Sequence, residues 1–77
     1  MYSAQQTLDR DYLEMRWRCL SLAADLDRVE RGENGKAVLA SDPRLQRLRQ
    51  AIAVLLRDEP GRAEAVQNIF SDKSKGP

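Results

Sequence analysis

Acid–base, nucleophilic and metal chemistry each need particular side chains, and this chain supplies few of them. It contains no histidine, the residue on which catalytic triads and proton shuttles near neutral pH lean most heavily. Carboxylates can serve in pairs, and Asp9, Asp11, Glu14, Asp25, Asp27 and Glu30 fall close together, interleaved with arginines. Glu14 precedes Arg18 by four residues and Asp27 precedes Arg31 by four, the spacing of exposed ion pairs along a helix. The set therefore reads as a solvated, salt-bridged surface rather than a glycosidase-like acid pair. One thiolate without histidine cannot build a four-ligand zinc site, and the four glycines form neither a phosphate-binding loop nor a dinucleotide fingerprint. Cys19 lies within an apolar stripe, where a free cysteine behaves as a small core residue. A protein without catalytic machinery, metal or cofactor is the expectation.

Binding chemistry has more to work with. Leu8, Tyr12, Met15, Cys19, Leu22, Leu26 and Val29 recur at alternating steps of four and three, which places all seven on one face of a helix. A second apolar line, Leu13, Trp17, Leu20 and Ala24, points roughly 160° away from the first at 100° per residue. One returning helix cannot cover both faces. A later helix, the apolar piece at residues 37–40, a second copy of the chain or a protein partner must take the other. Tryptophan is enriched at binding hot spots, so Leu13, Trp17, Leu20 and Ala24 are the candidate partner-binding residues.

An alternative surface is cationic. Arg44, Arg47, Arg49 and Arg57 lie in a stretch from Pro43 to Arg57 that holds no acid, and they are the candidate nucleic-acid-binding residues. A helix over that stretch, the 58–61 turn and a further helix over residues 60–71 could then form a helix–turn–helix that presents Arg62, Gln67 and Asn68 to bases. The four arginines scatter around the helix instead of forming a stripe, and Asp11 and Asp25 are placed to meet some of them across a helical hairpin. Overall charge argues the same way: 13 Lys and Arg against 12 Asp and Glu leave a net of +1, far from the basic excess typical of nucleic-acid binders.

Three helices are needed to position these residues. The first runs from about Leu8 to Arg31, after a flexible tail of residues 1–7. Thr7, Asp9 or Asp11 caps its start, and Gly32 ends it in a left-handed conformation. Gly32-Glu33-Asn34-Gly35 is a turn, and residues 37–40 are either a helical turn or an extended segment. Ser41-Asp42-Pro43 is a strong helix start, and Leu45, Leu48, Ile52, Leu55 and Leu56 carry the second helix to Arg57. Asp58-Glu59-Pro60-Gly61 interrupts the chain, with Asp58 or Glu59 capping a third helix over residues 60–71. In that helix Ala63, Val66, Ile69 and Phe70 share a side. The tail 72–77 has nothing to bury and is expected to be disordered. The predicted fold is all-α: a small three-helix bundle built on a long antiparallel hairpin, with residues 8–71 as a single domain.

With 77 residues the core of such a domain is thin. A lone cysteine excludes an internal disulfide, which leaves self-association as the remaining support. No apolar run is long enough to span a membrane, no start resembles a signal peptide, and the cysteine usage fits the cytoplasm. The Asp-Pro helix start and the Arg/Leu/Ala-rich helices are too general to carry a family resemblance. These features predict a cytoplasmic helical interaction module that self-associates or binds a protein, with weak nucleic-acid binding as the alternative.

Overall fold

The computed structural model describes residues 1–71; the tail expected at 72–77 lies outside them. The described residues are all-helical, with α1 over Ala4–Arg31, α2 over Gly35–Ser41, α3 over Pro43–Leu55 and α4 over Arg62–Phe70. By its internal contacts the chain divides into two units, Met1–Lys36 and Ala37–Pro77.

In the first unit α1 runs for 28 residues. It begins a turn before the expected Leu8, so residues 4–7 belong to the helix and not to a tail. The cap is Ser3, not Thr7, Asp9 or Asp11. Its hydroxyl accepts from the Gln6 N–H at 3.1 Å, while the Gln6 side-chain oxygen accepts from the Ser3 N–H at 2.9 Å. This reciprocal pair satisfies two backbone donors that a helix start otherwise leaves open. It lies ahead of the first apolar residue of the stripe, where periodicity gives no signal.

The end of α1 departs from expectation in a different way. Arg28 and Arg31 occupy the last turn, where cations oppose the helix dipole. Gly32, however, is extended, with φ −73° and ψ 170°, and its N–H donates to the Val29 carbonyl. The left-handed residue is Asn34, at φ 61°, a conformation that asparagine tolerates better than most residues. Gly35 is needed for another reason. It is buried, and a Cβ there would run into the carbonyl oxygens of Val29 and Glu30. Its N–H closes the turn onto the Gly32 carbonyl at 2.9 Å. At Gly35 a bare backbone thus presses against the last carbonyls of α1.

In the second unit the 37–40 piece is helical as part of α2, with the Ser41 hydroxyl donating back to the Ala37 carbonyl at 2.8 Å. Asp42 caps α3 and Pro43 occupies its first turn, as the Ser-Asp-Pro signal predicts. The helix stops at Leu55, two residues before the expected Arg57. There the Leu56 N–H donates to the Ala53 carbonyl and the Arg57 N–H to the Val54 carbonyl. Neither Asp58 nor Glu59 caps the next helix. Gly61 does so in a left-handed conformation, φ 82°, without a side-chain bond, and the Arg62 guanidinium reaches back to the Arg57 carbonyl.

Helices α3 and α4 pack against each other, and α3 carries the buried apolar side chains found among the described residues. Ala51 and Val54 keep only 5% and 4% of their surface in water. On α4 the half-buried positions are Ala65, Val66 and Ile69. Val66 and Ile69 match the expected inner side, whereas Ala63 and Phe70 are exposed. The helix is rolled so that Ala65 takes the place expected of Ala63.

The two glycines after α1 should respond differently to substitution. Gly35→Ala has to displace backbone and is expected to cost about 1–3 kcal/mol. Gly32→Ala, extended and with only ordinary contacts for a new methyl, should be neutral or stabilise by about 0.4–1 kcal/mol through the unfolded chain. Thermal unfolding followed by circular dichroism separates the two. Equal losses would mean that the close approach at Gly35 is not what fixes the turn.

Candidate functional site

The second apolar line of α1 stands open along its length. Leu13, Trp17 and Leu20 keep 73%, 64% and 52% of their surface in water, and Ala24 is exposed as well. Trp17, Leu20, Ser21, Ala24, Asp25 and Arg28 enclose a shallow hollow on the helix surface. Its shape follows from side-chain size. Ser21 and Ala24 are short and form a floor, while the Trp17 indole and Leu20 stand up at one end.

At the other end the Arg28 guanidinium is paired with Asp25 three residues earlier, so the rim is polar but locally neutral. Ser21, Asp25 and Arg28 were not among the residues expected from the sequence to bind a partner. Their spacing from Trp17 and Ala24, by four and eight residues and by one and four, puts them on the same side of a helix, and that signal was available.

Three ion pairs form within α1 itself, one of them the Asp25–Arg28 pair at the hollow. Arg18 meets Glu14 at 3.1 Å, the expected pair at a spacing of four. Asp11 is held by Arg10 at 2.8 Å, and this hydrogen bond lowers the Asp11 pKa. Arg10 also lies 4.8 Å from the centre of the Tyr2 ring. Asp11 and Asp25, expected to face arginines across a hairpin, thus have local partners in Arg10 and Arg28. The expected Asp27–Arg31 pair is absent among the described residues, and both side chains are exposed.

The first stripe is less covered than its pattern suggests. Leu22 and Leu26 are half-buried, but Leu8, Tyr12 and Met15 are exposed. Cys19 is exposed too, contrary to its expected place in a core. Within the unit Met1–Lys36 no second long helix lies alongside α1 to enclose that stripe.

The cationic alternative comes apart into separate residues. Arg44 is bound to Asp42, whose carboxylate accepts from its guanidinium twice at 3.0 Å and from its backbone N–H at 2.8 Å. A count of charge that begins at Pro43 misses this acid by one residue. The Arg49 guanidinium lies 3.5 Å from the Leu39 carbonyl, and Arg47 is half-buried. Arg57 falls beyond the end of α3. These four side chains do not share one face of one helix.

The chain matches no protein-family model, no curated protein and no solved structure. What the chain does must therefore be argued from its own surfaces. Among the described residues no helix is long and apolar enough to cross a membrane.

The bonds to Arg44 hold the Asp42 carboxyl below its ordinary 3.8, at about 2, the side-chain hydrogen bond being the largest cause. Because the folded value is the lower one, the ionised group favours folding. That contribution is complete above about pH 3.8 and disappears as the pH falls through about 2. A carbon-detected titration of Asp42 should report the low value, and Asp42→Asn should flatten this part of the acid unfolding curve. An ordinary carboxylate value would show that the Arg44 contact does not persist in solution.

Proposed function

We propose that this chain is a small, non-catalytic helical interaction module that works in the cytoplasm. It self-associates or binds a protein partner through Leu13, Trp17, Leu20 and Ala24. The architecture that goes with this reading is the three-helix bundle expected from the sequence. In it α3 returns along the Leu8–Val29 stripe of α1 as the second arm of a hairpin, and α4 completes the bundle. That arrangement uses one face of α1 and leaves the other for a partner.

The observation that carries the reading is the open Trp17 side chain standing beside a hollow floored by Ser21 and Ala24. Large apolar side chains grouped beside a concavity are what a docking surface offers: anchors to bury and a recess to receive the other side's anchor. Full burial of a side chain the size of Leu13 or Leu20 contributes about 1.5–3 kcal/mol. A few such anchors only modestly exceed the cost of association, so the complex is expected to be reversible.

Leu20→Arg tests this reading. A cation at that position should dissociate the complex, observed by light scattering after size exclusion, while helicity remains intact. The Trp17 emission should also shift to the blue as the unsubstituted chain associates. Loss of all helical structure in Leu20→Arg would instead place this face in the chain's own core and overturn the proposal.

A further inference from the structure

Resting on that reading, we infer that the occupant of the Trp17 face is a second copy of the same chain, with the two α1 helices antiparallel. Two independent features of α1 point to this. The first is charge. The apolar line continues at both ends into charged residues, giving Arg10, Leu13, Trp17, Leu20, Ala24 and Asp27. Their spacings read the same in both directions: three, four, three, four, three. A line that reverses onto itself can pair with its own copy head to tail. The register that matches it puts Leu13 opposite the partner's Ala24 and Trp17 opposite the partner's Leu20. It also sets Arg10 opposite the partner's Asp27, and this occurs at both ends of the contact.

A parallel pair is disfavoured by the same residues, since it would set Arg10 against Arg10 and Asp27 against Asp27. Like charges facing across a contact select against that arrangement. Beside the antiparallel line, Glu14 neighbours the partner's Ser21 and Arg16 neighbours the partner's Ala23. Asp9 and the partner's Glu30 are a like-charged pair at the periphery, where solvent screens them. Arg10 is available for exchange because its present partner, Asp11, belongs to an exposed pair, and such pairs are weak. Asp27 has no ion-pair partner among the described residues.

The second feature is shape. In this register each Trp17 projects at the level of the partner's Leu20, next to Ser21 and Ala24. Those residues line the hollow of α1. The indole of each copy therefore enters the hollow of the other, as a knob enters a hole between paired helices. Ala24 leaves the room for it, and a two-fold axis makes both insertions equivalent.

The experiment is sedimentation equilibrium on the full chain, with circular dichroism as a control on helicity. Arg10→Glu and Asp27→Arg should each weaken the dimer about tenfold, because each reverses two symmetric contacts. The double variant Arg10→Glu/Asp27→Arg restores opposite charges at both ends and should recover the original affinity to within about threefold. Ala24→Leu, which keeps a good helix former at that position, should weaken association by filling the hollow and should return the Trp17 emission towards that of exposed indole.

A dimer that depends on Leu20 but shows no rescue in the double variant overturns the antiparallel register and leaves the binding face in place. A dimer indifferent to both Leu20→Arg and Ala24→Leu overturns the face itself. A chain that stays monomeric up to about 1 mM, the weak limit of association, overturns self-pairing and leaves the face for a different protein.

Discussion

Leu13, Trp17 and Leu20 each keep more than half of their surface in water on a helix none of whose residues is buried. Water penalises each square ångström of such surface by about 25 cal/mol, and nothing within the unit Met1–Lys36 removes that penalty. A helix satisfies its backbone hydrogen bonds by itself, but its apolar side chains need a second surface. With apolar lines on two opposed faces, α1 needs two such surfaces. The other helices are short by comparison, at seven, thirteen and nine residues. The distribution of apolar residues on α1 therefore leaves two apolar faces that no residue of the unit Met1–Lys36 buries.

The second unit handles the same constraint at small scale. Ala51 and Val54 are the buried apolar residues of α3, which packs against α4, and both are small. Small side chains allow close approach but contribute little area each. Exposed Leu55, Leu56 and Phe70 at the ends of these helices show how little of the available apolar surface such a contact consumes. A short helix pair with an alanine-and-valine centre is a modest core, as the size of the chain implies.

Periodicity made α1 and α3 legible in the sequence, because long runs of apolar residues at helical spacing have few other readings. The helix ends were less so. Ser3 and Gln6 mark the start of α1 as a pair of polar residues, ahead of the first apolar position at which a helical period begins. At Gly32 the residue type suggested a left-handed cap, yet Asn34 adopts that conformation and Gly35 is required by a steric approach that no local pattern encodes. Leu13, Trp17, Leu20 and Ala24 were identified from spacing alone, whereas the hollow beside them depends on the shortness of Ser21, which a hydropathy pattern treats as merely polar. The arginines of α3 showed the opposite problem. A count of charge along the sequence cannot see that Arg44 turns back onto Asp42.

The two ends of α1 are secured by unlike means. At Ser3 the helix is closed by side-chain hydrogen bonds that water can replace one at a time, at little cost. At Gly35 it is closed by contact between main-chain atoms with no space for a Cβ between them. The first kind of closure loosens gradually and the second does not, since packed atoms must separate together. So α1 has a soft end and a hard end. Fraying belongs to the first turn, near Tyr2 and Gln6, while the contact at Gly35 opens only as a whole.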